Sequence, residues 1–126
     1  MESALEVEVR QRAGNRCEYC RIPQSAEIVP YQIDHIVAQK HDGPTTSDNL
    51  ALACLQCNSH KGPNIAGIDP QSRALTRLYH PRLDRWEDHF AMESTGRLSP
   101  LTPIGRVTIA VLDMNDSDAI SLRASL

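Results

Sequence analysis

No stretch of about 18 consecutive apolar residues occurs in the chain, so no transmembrane helix is expected. The start, Met1-Glu2-Ser3-Ala4-Leu5-Glu6, has neither the basic residues nor the apolar run of a secretory leader. The expected compartment is the cytoplasm. Aromatic side chains are scarce, 4% of 126 residues, with one Trp and one Phe. A core so poor in large side chains usually needs a metal, a disulfide or a partner. A basic excess is missing as well. The formal charge is −3, which counts against binding nucleic acid by bulk electrostatics alone. Internal repeats, low-complexity tracts and linkers are absent, so one domain over residues 1–126 is expected.

What is present is ordinary globular material, 40% hydrophobic and 23% charged, which excludes disorder over the whole length. The charge is unevenly spread. Residues 1–8 hold three Glu and no basic residue, and residues 113–126 hold three Asp and one Arg. Residues 9–112 hold twelve Lys/Arg against ten Asp/Glu, so the middle is mildly basic between acidic ends. That permits a polyanionic partner without arguing for one.

The residue pattern predicts a short helix over 4–13, closed by Gly14 where positive φ is needed. Ile28-Val29 and Tyr31 to Val37 are predicted as extended, the second alternating and rich in β-formers. A loop follows from His41 to Asn49, marked by Asp42-Gly43-Pro44 and Thr45-Thr46-Ser47. Leu50 to Ala53 suits a returning strand. A short helix is predicted from near Cys57 to just before Gly62-Pro63. Further on, Asp69-Pro70 and His80-Pro81-Arg82 are turns, Arg85 to Met92 is a helix entering a strand, and Gly96-Arg97 is a hairpin turn. Pro103 opens a helix over 103–112, and Asp116 or Ser117 caps a last one.

Cys17-x-x-Cys20 and Cys54-x-x-Cys57 use every cysteine in the chain. Two such knuckles match the spacing of a structural zinc site, because two intervening residues let both thiolates reach one tetrahedral ion. In a reducing compartment this outweighs disulfides. A redox pair would not need a second matched pair, and buried free cysteines seldom fall so regularly. The 33 residues between the knuckles require an inserted unit, and the strand, loop and strand just described fill it.

Asp34-His35 lies between the knuckles, Asn49 follows fourteen residues later, and Asn58, His60 and Lys61 come directly after the last cysteine. The combined pattern is Cys17-x2-Cys20, Ile33-Asp34-His35-Ile36, Asp48-Asn49-Leu50, Cys54-x2-Cys57-Asn58 and Lys61-Gly62. It resembles the HNH endonuclease family, in its zinc-containing bacterial branch. The motif covers roughly residues 14–63. His80-Pro81-Arg82, Arg85-Trp86, His89-Phe90 and Gly105-Arg106 resemble the C-terminal extension of one bacterial subgroup. The resemblance implies an α+β fold: a ββα-metal (His-Me finger) core with two zinc knuckles and a mixed α/β extension over about 64–126.

The family's chemistry is metal-dependent hydrolysis of phosphodiester bonds, with DNA as the expected partner. Such hydrolysis needs a base that takes a proton from water near pH 7, and a divalent cation that stabilises the leaving oxygen. By resemblance His35 is the base. Asp34 is a ligand of Mg²⁺ or Mn²⁺, which requires the pair to sit at a strand end or bulge, since strand neighbours face apart. Asn49 is expected to fix the loop and orient the His35 ring. Many family members carry His where Asn58 stands. Asn58 is the expected second ligand and His60 the competitor; about 200° of helix rotation separates them, so they cannot easily share one ion. His60 as ligand would favour Mn²⁺, Ni²⁺ or Zn²⁺.

Lys61 suits either a phosphate contact or a solvated lysine at a helix end. Arg16, Arg21 and Lys40 are backbone-contact candidates or ordinary surface charges. His41, His80 and His89 are expected to be ordinary histidines, and Trp86 and Phe90 to pack into the core. The alternative to a nuclease is a non-catalytic zinc-binding module docking nucleic acid or protein, which would keep the cysteines without needing His35. The chain holds no separate DNA-recognition motif. It is expected to cut with weak preference, or to borrow specificity from a partner or a homodimer.

Overall fold

A computed structural model describes residues 3–126; Met1 and Glu2 of the acidic start lie outside the described residues. Helix α1 (Ala4–Arg12) begins where the Ser3 hydroxyl accepts from Glu6 N at 3.2 Å. It ends where Gly14 and Asn15 both take positive φ. Its Arg12 guanidinium donates to Leu50 O at 2.7 Å and Ser47 Oγ at 2.8 Å, fastening the helix to the next unit.

That unit is strand β1 (Gln32–His35), strand β2 (Leu50–Ala53) and helix α2 (Leu55–Lys61). β1 and β2 are antiparallel, with Asp34 opposite Ala51 and His35 opposite Leu50. β2 is buried at every position, so its Leu-Ala-Leu-Ala run packs on both faces. α2 starts two residues earlier than expected because Cys54 itself is the cap: its sulfur accepts from Cys57 N at 3.3 Å. The order β, β, α with the cysteines at its corners is the ββα-metal arrangement.

Two expected extended stretches are shorter than their patterns. Ile28-Val29 is a bend, not a strand, and Ile28 is fully exposed. The Gln24 side chain gathers this bend, donating to Glu27 O and Val29 O and accepting from Tyr31 N. β1 also stops at His35. Ile36 N still reaches Asn49 O at 2.8 Å, but the Asn49 side chain then takes both the N–H and the C=O of Val37 and pulls the chain off the sheet.

The extension is two hairpins packed by a helix. β3 (Ala66–Ile68) pairs with β4 (Leu75–Arg77), and β5 (Phe90–Met92) with β6 (Leu98–Pro100). The β3–β4 hairpin has no periodic signal in sequence. Its turn is organised by Asp69, which accepts from Gln71 N, Ser72 N and Ser72 Oγ and forms a two-pronged pair with Arg106 at 2.9 Å. Short helix α3 (Trp86–His89) feeds β5 as the pattern predicted. α4 (Pro103–Leu112) opens on Pro103 with Thr102 as cap, and α5 (Ser117–Ala124) on the Asp116 cap. α4 packs against α2, β3, β4 and β6 and so ties the extension to the ββα unit. Gly67 permits that closeness: a Cβ there would stand 2.7 Å from Val111. Among the described residues no helix is long and apolar enough to cross a membrane.

Candidate active site and zinc centre

The four cysteine sulfurs lie within 4.8 Å of one another, and all four residues are buried. Cys20 Sγ and Cys54 Sγ are 3.7 Å apart. Four sulfurs about 2.3 Å from a tetrahedral zinc stand about 3.8 Å apart. A disulfide needs about 2.05 Å. The separation therefore suits a shared ion. Cys20 N and Cys57 N point at the sulfurs of Cys17 and Cys54, at 3.5 and 3.3 Å. Burial opposes ionisation of Cys17, yet hydrogen bonds from Cys20, Cys54 and Cys57 hold its thiol well below the ordinary value. The bond to Cys17 leads in pushing Cys20 and Cys57 up. Four sulfurs this close suit one shared cation, and the set is a candidate zinc site. It is the single group of three or more close His, Cys, Asp or Glu side chains among the described residues.

Next to the knuckles lies a shallow open cleft lined by Ile33, Asp34, His35, Ala38, Gln39, Asn58, Gly62 and Pro63. Asp34 and His35 both reach it because His35 is the last residue of β1, where alternation ends. Asn58, on the first turns of α2, faces the same cleft. It donates its amide N–H to Gln32 Oε1, which leaves its carbonyl oxygen free to coordinate. A carboxylate and an amide oxygen are hard donors that suit Mg²⁺ or Mn²⁺ and leave positions for water and phosphate. The donor chemistry of Asp34 and Asn58 is compatible with such an ion, and both line the one cleft. His60 turns away: its Nδ1 meets Gln56 O at 2.9 Å and its Nε2 lies 3.9 Å from Asp113. The helix rotation between positions 58 and 60 separates them as expected.

His35 is half-buried, and its Nε2 lies 2.9 Å from Thr45 Oγ1. Asn49 is buried and brackets the loop, accepting from Val37 N and donating to Val37 O and Pro44 O at 2.8 to 3.0 Å. It fixes the loop, while Thr45 rather than Asn49 is the ring's partner. Asp34 is only 5% exposed. Burial pushes its carboxyl up, against Lys61 and the Tyr19 hydroxyl, which pull it back.

Lys61 departs most from its expected position. It is 2% exposed, so neither a solvated lysine nor a phosphate contact describes it. Its ammonium lies 3.3 Å from Asp34 Oδ2 and donates to His35 O at 3.2 Å and Ile36 O at 3.0 Å. One signal could have shown this. Cys57 and Lys61 are four apart on α2 and so share a face, and Cys57 is turned inward to the cysteine cluster. Tyr19, whose hydroxyl donates to Asp34 Oδ2 at 2.8 Å, and Thr45 carried no signal beyond their place between motif residues.

Of the other cations, Lys40 is exposed on the 3₁₀ turn beside the cleft. Arg16 is exposed and donates to Arg21 O. Arg21 lies over the Trp86 ring, 5.0 Å from its centroid. Trp86 and Phe90 pack in the core, with ring centroids 5.1 Å apart. His89 meets Thr102 Oγ1, and His80 Nδ1 accepts from the backbone of Arg82 and Leu83, so both are engaged locally.

Residues 17–64 match the family model described as HNH endonuclease. No curated protein and no solved structure matches the chain. The segment that holds both cysteine knuckles and the Asp34-His35 cleft is thus an HNH endonuclease domain match, which suggests a nuclease-type function on nucleic acid.

Proposed function

We propose that the protein is a metal-dependent endonuclease that hydrolyses phosphodiester bonds in DNA. The observation that carries this is the meeting of Asp34, His35 and Asn58 in one open cleft inside the family-matched segment. His35 is the general base. With Nε2 engaged by Thr45, Nδ1 is the ring nitrogen left to take a proton from water. Asp34 and Asn58 would hold Mg²⁺ or Mn²⁺, and such an ion would supply charge stabilisation to the leaving oxygen. Asn49 keeps the loop after β1 closed so that the ring stays over the cleft. The zinc cluster is structural.

The cleft is shallow and open, which suits a duplex backbone better than a small enclosed substrate. Lys40 flanks it, and Arg16 and Arg21 lie on the knuckle side as backbone contacts. We read residues 1–126 as one nuclease unit, acting in the cytoplasm, where the four thiols stay reduced. Sequence preference is weak, or comes from a second copy or a partner.

The test is cleavage of supercoiled plasmid by zinc-loaded protein with Mg²⁺, Mn²⁺ or EDTA, wild type against His35→Ala. Metal-dependent nicking that is lost in a folded His35→Ala supports the reading. Absence of cleavage by folded wild type with either ion overturns it, and cleavage surviving in His35→Ala removes His35 as the base.

A further inference from the structure

Asp34 is unusual for a cation ligand. Its carboxylate is almost wholly buried, and two other side chains already grip it. One is the Tyr19 hydroxyl, 2.8 Å from Oδ2, on a side chain with no exposure. The other is the Lys61 ammonium, 3.3 Å from Oδ2 and 3.4 Å from Oδ1. Lys61 also holds the carbonyls of His35 and Ile36, the two peptide groups that carry the chain out of β1. A buried lysine needs partners for its donors, and here one carboxylate and two carbonyls meet them.

The origin of these two groups is informative. Tyr19 sits inside the first knuckle, between Cys17 and Cys20, and its carbonyl accepts from the Trp86 indole at 2.7 Å. Lys61 ends the helix whose first turn is the second knuckle, one helical turn after Cys57. Each knuckle therefore sends one side chain to the same carboxylate.

Resting on the reading of Asp34 as a ligand of the divalent ion, we infer that Tyr19 and Lys61 are positioning residues. They fix the Asp34 carboxylate toward the cleft, and Lys61 also fixes the peptide groups beneath His35. Neither touches substrate. Tyr19 supplies one neutral hydrogen bond that sets the rotation of the carboxylate. Lys61 supplies contacts to the carboxylate and to the two carbonyls that follow β1, and so fixes the one relative to the other. Groups of this kind hold a ligand in its coordinating orientation, and their loss typically lowers metal affinity by about 10- to 100-fold.

The deciding experiment is direct Mn²⁺ titration of the zinc-loaded full chain, reading free Mn²⁺ by electron paramagnetic resonance. Wild type is compared with Tyr19→Phe, Lys61→Met and Asp34→Asn, each checked for zinc content and a cooperative melt. Tyr19→Phe keeps the ring and changes no charge. It should bind Mn²⁺ about tenfold more weakly while still folding, with the same direction and a larger loss in Lys61→Met. If Lys61→Met does not fold, Tyr19→Phe decides alone. Wild-type Mn²⁺ affinity in folded Tyr19→Phe, with binding lost in Asp34→Asn, overturns the positioning role and leaves the nuclease reading standing. Unchanged affinity in Asp34→Asn overturns the ligand assignment, and the inference falls with it.

Discussion

Substituting Cys17 by Ala removes one corner of the sulfur tetrahedron and tests the metal's share in stability. Cys17 lies in the knuckle from which the sheet and the extension are hung. Glu18 N donates to Leu52 O at 2.9 Å, Glu18 Oε2 accepts from Leu52 N at 2.7 Å, and Tyr19 O accepts from Trp86 Nε1 at 2.7 Å. Those three bonds are worth about 1 kcal/mol each. Loss of a structural metal belongs to the rare class of substitutions that cost about 4 kcal/mol or more. A structural zinc contributes about 10–16 kcal/mol in small zinc peptides, which rivals the whole stability of an ordinary domain, about 5–15 kcal/mol. At about 4 °C per kcal/mol for a chain of this length, Cys17→Ala should melt at least about 15 °C lower. Stripping zinc from wild type with a strong chelator should do as much. The assay is a thermal melt by circular dichroism, paired with zinc content by elemental analysis. Equal melting temperatures for Cys17→Ala and wild type, or no zinc in folded wild type, would refute the argument.

Other consequences follow from single side chains. Asn49→Ala removes three hydrogen bonds at a buried position and should cost about 2–3 kcal/mol, with faster amide exchange over residues 37–44; a loss below about 0.5 kcal/mol would contradict its role as the loop's bracket. Gly43→Ala should disorder the same loop, because a Cβ there would stand 1.7 Å from Val37 O, and proteolysis at the loop is the readout; wild-type resistance would contradict the packing. The Arg106 guanidinium holds the Asp69 carboxyl well below the usual carboxylate range. The stability this gives is complete above the unfolded value of about 3.9 and is lost as pH falls below it. Asp69→Asn should therefore lower stability at pH 7 and flatten the acid limb of the stability profile. An unchanged acid limb would remove this pair as its cause.

The motif residues and most helix ends were legible in the sequence because their causes are local. Gly14, Pro103 and Asp116 act within a turn of where they stand, and the structure uses each as its residue type suggests. The two CxxC knuckles were legible because the spacing within each pair suits the ion. The Ile28-Val29 stretch misled because apolar β-formers were present without a partner strand, and Gln24 gathers that backbone instead. The β3–β4 hairpin was missed for the converse reason. Its strands are three residues each, and its turn depends on Arg106, 37 residues away.

The sequence by itself determined that the chain has a four-cysteine centre, an Asp-His pair ending a strand between the knuckles, and an HNH pattern around them. These are matters of residue type and short spacing, which chain connectivity enforces. Only the tertiary structure decided how the polar groups are shared out. Lys61 is buried on Asp34 rather than solvated, Thr45 rather than Asn49 meets the His35 ring, and His60 faces Asp113 while Asn58 faces the cleft. Each of these is a choice among partners. It is settled when packing removes water and a buried polar group must take what remains within reach. For Lys61 that means oxygens 25 to 27 residues back in the chain, brought close by the two knuckles and the sheet between them.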